Sequence, residues 1–344
     1  MPWTIADIAR ALGGEAVGDT GLVVTGPAAP DVCGPGQIAV ALGGASRGVP
    51  GIEAAILPKG ADWRRLGLRA AVLWDGGRLG LAAITRAFDP DDAFWPGRHE
   101  TAVIHDTATV AQDAWIGPHA VIGAGAEIGP GARIGPGAVI GARTILGEGA
   151  RIHAGARLGT RVRAGARLTV QPGAVVGSDG FSFKTADPSG PEQARRSAGR
   201  RPIRPPADPT WHKVESLGGV EIGDDVEIGA NSTVDAGTLK PTRIGHGTKL
   251  DSHVHVGHNV ELGAHVLLCG MVGIAGSAVI GDRSVLAGQT GVNDHVRVGS
   301  DVVTTSATLI TADTGDGVFL TGNPAQPLPE HRAFWRALRR LARG

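Results

Sequence analysis

The densest group of side chains able to carry out proton transfer lies in residues 251–259, which read DSHVHVGHN. The stretch holds three of the twelve histidines of the chain, and His295 follows in GVNDH. An imidazole titrates close to neutral pH, so a histidine can serve there as a general base. A carboxylate on the second ring nitrogen would fix its tautomer, and Asp251 precedes His258 by seven residues. The spacing makes His258 a candidate base with Asp251 as its partner, while solvated or interface histidines remain the alternative.

Aliphatic residues recur at every sixth position and predict the elements that must position this cluster. One run extends without a gap over 104–158, a second over 244–298, and a short run over 222–234 lies four residues out of phase with the second. A period of six fits neither an α-helix nor a plain alternating strand. It is typical of a three-faced coil built from hexapeptide repeats. We therefore expect a mainly β fold, a left-handed parallel β-helix, with sites on its outer surface because its three walls touch inside.

The repeat divides the chain into three predicted parts. Residues 1–100 lack the repeat and are expected to form a small α/β domain. It should begin with a helix capped by Thr4, followed by strands at 22–25, 54–57 and 70–74 and a second helix at 79–88. Residues 101–316 form the β-helix, interrupted at 178–219 by a polar, Pro- and Arg-rich insert. Residues 317–344 form a C-terminal extension whose helix begins at Pro329.

Composition narrows the class of protein. Lys plus Arg and Asp plus Glu both number 33 in the 344 residues, which argues against a protein devoted to nucleic acid. The chain has only two cysteines, Cys33 and Cys269, which argues against a disulfide framework and fits a reducing compartment. We expect no signal peptide and no membrane-spanning segment, since no apolar stretch approaches ~20 residues.

A zinc site is a competing interpretation of the histidines. His253 and His258 are separated by four residues, and neutral imidazoles are good zinc ligands. The gamma-class carbonic anhydrases share the expected fold and bind zinc between subunits with a similar pair. They are much shorter, however, and lack an N-terminal domain of this kind.

Several motifs make this chain similar to one particular protein family. They are GSDGF at 177–181, IGDDVEIGA at 222–230, TVD at 233–235, the stretch 251–259 and TGNP at 321–324. With the N-terminal domain and terminal helix, they make nearly the whole chain similar to the UDP-3-O-acylglucosamine N-acyltransferases of lipid A synthesis. The hexapeptide repeats alone would indicate only the wider acyltransferase superfamily.

The resemblance implies an activity and a set of site residues. It implies that His258 removes a proton from the 2-amino group of a UDP-3-O-acyl-glucosamine, with Asp251 in support. The amine then attacks the thioester of a 3-hydroxyacyl chain carried on the phosphopantetheine of acyl carrier protein. No metal or other cofactor is expected. The substrate-binding residues that we expect are His295, His255, Ser252, Asp179, Phe181 and Gly276.

The same resemblance implies a homotrimer with three sites between subunits, in the cytoplasm of a Gram-negative bacterium. Acyl carrier proteins are acidic, so we expect the basic C-terminal helix to help recruit the donor. Its arginines are Arg332, Arg336, Arg339, Arg340 and Arg343.

Three departures from the family pattern stand out. The uracil clamp of the family uses aromatic residues, whereas the matching stretch 36–46 has none. Ala236 stands where an arginine often follows the aspartate matching Asp235, and the insert is longer than in the enterobacterial pattern. The acceptor could therefore be another nucleotide amino sugar, and the donor a coenzyme A thioester. A non-catalytic β-helix scaffold is the alternative from a different class.

Overall fold

The computed structural model describes residues 2–42, 51–89, 94–197, 199–322 and 328–342, with side chains from 333 onward in the last range. The chain forms two compact units, Met1–Asp92 and Ala93–Gly344.

The N-terminal unit is a small mixed sheet with two helices. Helix α1 (Ile5–Leu12) begins at the predicted cap, where the Thr4 hydroxyl accepts the Asp7 N–H and the Asp7 carboxylate accepts the Thr4 N–H. Helix α2 (Gly80–Ala87) follows the 3₁₀ turn Gly77–Leu79. The main sheet has the strand order Glu15–Gly18, Ala70–Leu73, Ala54–Leu57, Ile38–Val40 and Pro27–Ala28, and a second pair joins Trp3–Thr4 to Val23–Val24.

The second unit confirms the predicted left-handed parallel β-helix, whose walls are three parallel sheets. Sheet A consists of Trp115–Ile116, Arg133–Ile134, Arg151–Ile152, Thr169–Val170, Glu227–Ile228, Lys249–Leu250, Leu267–Leu268, Val285–Leu286, Val303–Thr304 and Phe319–Leu320. Sheet B consists of Val103–Ile104, Val121–Ile122, Val139–Ile140, Arg157–Leu158, Val175–Asp179, Thr233–Ala236, His255–Val256, Gly273–Ile274, Gly291–Val292 and Leu309–Ile310. Sheet C consists of Thr109–Val110, Glu127–Ile128, Ile145–Leu146, Val162–Ala164, Val220–Ile222, Thr242–Ile244, Glu261–Leu262, Val279–Ile280 and Arg297–Val298.

The hexapeptide repeat explains the packing of these coils. The repeated aliphatic residue is the second residue of most strands and points inward, so that Ile116, Ile134 and Ile152 are fully buried. The glycine that follows it faces the backbone of the next coil. A Cβ on Gly141 would lie 2.4 Å from the carbonyl carbon of Gly159, so a larger residue there would force the coils apart.

Two interruptions lengthen the turn between sheets B and C. The insert leaves sheet B after Val175–Asp179 and returns at Val220–Ile222. It contains a hairpin of Phe183–Lys184 with His212–Lys213 and helix α3 (Gly190–Ser197). One coil later, the chain runs from Thr233–Ala236 to Thr242–Ile244 through a longer loop than the repeat requires. This loop accounts for the four-residue phase shift seen in the sequence.

The C-terminal helix α4 spans Leu328–Leu341, close to the predicted bounds. Its apolar residues Phe334, Trp335, Leu338 and Leu341 are all exposed. The side chains of Arg332 and Arg343 lie outside the described residues. Across the described parts of the chain, no helix combines the length and the apolar character that a membrane span needs.

Candidate active site

The β-helix distributes the histidine cluster over two corners and one wall of the prism. Asp251 and Ser252 lie in the turn between sheets A and B, while His255 points outward from sheet B. His258 lies in the next turn, between sheets B and C, which we call the His258 corner. It comprises the successive B-to-C turns at 237–241, 257–260, 275–278 and 293–296, and the insert leaves the prism from the turn one coil earlier.

One chain does not bring Asp251 against His258, so their expected pairing stays a prediction. The two residues lie at opposite ends of the strand His255–Val256, so one chain does not bring them together. The Asp251 carboxylate instead accepts the backbone N–H of Ser252 at 2.7 Å. Seven residues exceed one six-residue repeat, and the chain has therefore passed to the next corner.

The second ring nitrogen of His258 is held by Asn259, a residue that the sequence reasoning did not select. Nδ1 of His258 lies 3.1 Å from Oδ1 of Asn259. That oxygen also accepts the backbone N–H of Thr238 at 3.1 Å, while Nδ2 of Asn259 donates to the Lys240 carbonyl at 3.0 Å. The contacts fix which amide atom is oxygen, so Nδ1 of His258 must donate its proton. Nε2 then keeps its lone pair, as a general base requires.

The loop at 237–241 is therefore a positioning element for the base. Its extra residues bring Thr238 and Lys240 beside Asn259, and the Thr238 hydroxyl also donates to Oδ1 at 3.0 Å. The sequence signal was present as the four-residue phase shift immediately before the histidine cluster.

Residues at equivalent positions of successive coils form columns along the corner. His258, Gly276 and Asp294 share one column, and Asn259, Ser277 and His295 the next, with coils roughly 4.8 Å apart. Backbone bonds join neighbouring coils: Ser277 donates to the His258 carbonyl at 2.9 Å and His295 to that of Gly276 at 3.1 Å. Of the predicted substrate-binding residues, Gly276 and His295 therefore do share the corner with His258.

Glycines border the imidazole on two sides. A Cβ built on Gly276 would lie 2.7 Å from Nε2 of His258, and one on Gly180 would lie 2.6 Å from the His258 Cβ. Gly180 belongs to the predicted GSDGF motif, and its N–H donates to the Ser216 hydroxyl at 2.9 Å. The absence of these two side chains leaves room for the ring and opens a gap above Nε2.

Asp235 is the carboxylate that one chain places beside the histidines. It is only 7% exposed, accepts the Ser178 hydroxyl at 3.0 Å and lies 3.9 Å from Nε2 of His255. Burial raises the pKa of Asp235, opposed by the Ser178 hydrogen bond and by the charges of His255 and His258. When ionised, this carboxylate would stabilise an imidazolium nearby.

The remaining predicted residues occupy the surroundings of the corner. Nδ1 of His255 lies 2.8 Å from the Thr233 hydroxyl. Asp179 forms an ion pair with Lys213 of the insert, and the ring of Phe181 is 88% exposed, with its centroid 5.1 Å from that of Phe183. Ser252 lines a separate cleft of about 420 Å³ at the A-to-B corner.

The insert is tied to the far end of the corner. Nη1 of Arg195 in helix α3 forms an ion pair with Asp294 at 2.7 Å, next to His295. Beneath this helix an apolar cavity of about 680 Å³ is bordered by Phe181, Phe183 and Trp211. The insert therefore reaches along the corner from Gly180, beside His258, to Asp294.

The zinc interpretation requires His253 and His258, from one chain or from neighbouring subunits, to bind the same metal ion. The structure places them at different corners of one chain. Within the described residues, no group of three or more His, Cys, Asp or Glu side chains is arranged to hold a metal ion.

Comparison with known proteins identifies the repeat and the family. The family model described as bacterial transferase hexapeptide (six repeats) matches residues 107–142 and 125–160. A UDP-3-O-acylglucosamine N-acyltransferase of Paracoccus denitrificans is 60% identical over 280 residues, covering 80% of this chain and 76% of the relative. The protein of the same name from Ruegeria pomeroyi is 52% identical over 277 residues, with the same coverage.

A solved structure shows the same fold. The UDP-N-acetylglucosamine acyltransferase of Arabidopsis aligns with a TM-score of 0.53 at 20% identity, covering 65% of this chain and 70% of that chain. At this identity, the likeness concerns the fold alone. The two bacterial relatives, matched over most of their length, show that the chain belongs to the UDP-3-O-acylglucosamine N-acyltransferase family, the N-acyltransferases of lipid A synthesis.

Proposed function

We propose that this protein transfers a 3-hydroxyacyl chain from acyl carrier protein to the 2-amino group of a UDP-3-O-acyl-glucosamine, with His258 as the general base. The observation that carries the proposal is the contact of His258 Nδ1 with Asn259, which leaves Nε2 as the basic nitrogen facing the gap at Gly276. The substrate identity rests on the names of the two relatives.

The proposed reaction needs only proton transfer from this chain. The amine nitrogen attacks the thioester carbonyl carbon while Nε2 of His258 takes one N–H proton. Asp235 stabilises the resulting imidazolium. The tetrahedral intermediate then collapses, the C–S bond breaks, and the leaving thiolate recovers the proton from Nε2. The products are an amide and a free thiol, and His258 returns to its neutral form.

We infer that the working protein is a homotrimer. An exposed apolar stripe on sheet A supports this, since Leu267, Val285, Val303 and Phe319 are neighbours in successive strands. Leu267, Val303 and Phe319 are exposed, Phe319 by 69%, and Val285 among them is half-buried. Contiguous exposed apolar surface of this kind marks protein interfaces.

A trimer would also give Asp251 its role, because a neighbouring subunit could bring its A-to-B corner to His258. Mixed trimers test this directly. Inactive His258→Ala and weakened Asp251→Asn subunits should regain activity when combined, since some sites then hold both native residues. No recovery from confirmed mixed trimers would show that Asp251 does not act across subunits.

We assign nucleotide binding to residues 1–100 and the reaction to the cytoplasm of a Gram-negative bacterium. Residues 38–40 of the expected uracil-binding stretch form a strand, and residues 43–46 lie outside the described residues. The missing aromatic clamp leaves another nucleotide amino sugar as the alternative acceptor.

The deciding experiment is an acylation assay with purified protein. Acyl carrier protein and coenzyme A thioesters are offered to UDP-3-O-acyl-glucosamine and to a UDP-amino sugar without the 3-O-acyl group. We expect transfer with the acyl carrier protein donor and the 3-O-acylated acceptor, unchanged after dialysis against a chelator. His258→Ala should lower kcat by roughly 10²–10⁴-fold with the trimer intact. Near-normal turnover of this variant would show that His258 is not the base and would make His255 or His295 the next candidate.

A further inference from the structure

The insert carries an arginine-lined cleft outside the His258 corner. The cleft measures about 1000 Å³, and its walls include Pro188, Gln193 and Ser197. Its charged residues are Arg196, Arg200, Arg201 and Arg204. All four side chains are exposed, and none is ion-paired within the described parts of the chain.

Among the described residues, the acidic side chains of the insert have their ion-pair and hydrogen-bond partners outside this cluster. Glu192 binds Lys184 and the Ser189 N–H, contacts that lower its pKa to about 2. Asp179 and Glu215 both pair with Lys213. The other two accept backbone N–H groups: Asp187 from Ala207 and Asp208 from Thr210. The stretch 195–204 itself contains five arginines and no carboxylate.

The position of the cleft relates it to the reaction. Arg195, the residue before Arg196 in helix α3, is the one paired with Asp294 beside His295. At its other end, the insert places Gly180 against His258. A molecule bound in the cleft would therefore be held by the same segment that borders the base.

We propose that this cleft docks the acidic surface of acyl carrier protein, an inference that rests on the proposed function. Four uncompensated guanidinium groups favour a partner rich in carboxylates, and each can bind one bidentately. The donor must also deliver a thioester to His258, which a docking site on the neighbouring insert allows. The cleft lies on a segment that is longer than the enterobacterial pattern, so it would be a donor-binding surface particular to chains with this insert.

The test compares Arg200→Glu/Arg201→Glu with two other double reversals. Arg143→Glu/Arg163→Glu, on exposed β-helix residues without ion pairs among those described, is the matched control. Arg339→Glu/Arg340→Glu tests helix α4 as the alternative docking surface. Binding of purified acyl carrier protein is measured by fluorescence anisotropy at low and high salt. Turnover is measured with the acyl carrier protein donor and with an acyl-pantetheine thioester that lacks the protein.

We expect the insert variant to bind acyl carrier protein about tenfold more weakly at low salt, a difference that shrinks at high salt. Its KM for the protein donor should rise by a similar factor, while turnover of acyl-pantetheine stays at the wild-type level. Unchanged binding, an effect confined to the helix α4 variant, or equal losses with both donors would overturn the proposal. So would arginine-dependent binding to anionic phospholipid vesicles with unaltered binding of acyl carrier protein. Absence of transfer by the wild type with either donor would instead contradict the proposed function.

Discussion

Replacing Gly276 by Ala should displace the catalytic imidazole without unfolding the coil. The backbone tolerates a side chain there, because Ala230, Ala264 and His258 itself occupy the equivalent position of their own turns. The φ of Gly276 also lies outside the left-handed region. The new methyl group would nevertheless lie 2.7 Å from Nε2 of His258, where ordinary contact begins at 3.4 Å. The ring must therefore retreat by about 0.7 Å or tilt.

The expected cost follows from this displacement. Misplacement of a reacting group by about 1 Å can cost roughly 10²-fold in rate. The retreating ring also strains the 3.1 Å bond between Nδ1 and Asn259. We expect Gly276→Ala to lower kcat by about 10–100-fold. The KM for the acyl donor should change little, because the methyl group is directed at the base.

Steady-state kinetics with Gly315→Ala as the control measure this effect. A Cβ on Gly315 meets nothing within 4 Å, so that variant should keep wild-type turnover. Thermal unfolding of both variants should match the wild type within a few degrees. Wild-type kcat for Gly276→Ala would refute the proposed position of the base. A large loss of thermal stability would refute the claim that the turn accepts a methyl group.

The remaining predictions concern the partners of the base and the subunit contact. Asn259→Ala should lower kcat, because Nδ1 of His258 then loses the acceptor that fixes its tautomer; a wild-type kcat in steady-state assays would exclude that role. Asp235→Asn should lower kcat but preserve or raise the melting temperature at neutral pH, because burial raises the Asp235 pKa and its ionised form costs folding stability. Below the ordinary carboxyl pKa, wild-type Asp235 is protonated, so the higher melting temperature of the Asn variant should disappear there. Melting curves from acidic to neutral pH check this. Val303→Asp should dissociate the trimer in sedimentation experiments, whereas Val103→Asp, equally outward but on sheet B, should not; an intact Val303→Asp trimer would remove the sheet A stripe from the interface.

The β-helix could be predicted because its core repeats. Every six-residue step places one aliphatic side chain inside, and an error at one position cannot hide a run of ten. The phase shift before Ile244 even marked the loop at 237–241. The N-terminal unit was harder to predict from the sequence, since short strands such as Pro27–Ala28 and Ile38–Val40 lack an alternating pattern long enough to recognise.

The candidate site was only partly predictable, because proximity in this fold does not follow proximity in sequence. Residues at one corner recur every eighteen positions in regular coils, as His258, Gly276 and Asp294 do. Asp251, seven residues from His258, therefore falls at another corner. The eighteen-residue spacing could have been applied to the sequence, whereas the Asn259 contact depends on the conformation of an irregular loop.

Both irregularities of the repeat lie at the corner that carries the base, and this has a physical reason. A turn between sheets can lengthen without disturbing the inward residues, because Val234 and Ile244 still enter the core on either side of the longer loop. The 237–241 loop fixes Asn259, and the insert brings Gly180 against His258 and Arg195 against Asp294. The regular coils thus supply a rigid column of positions. The two lengthened turns supply the contacts that distinguish His258 from the other histidines of the cluster.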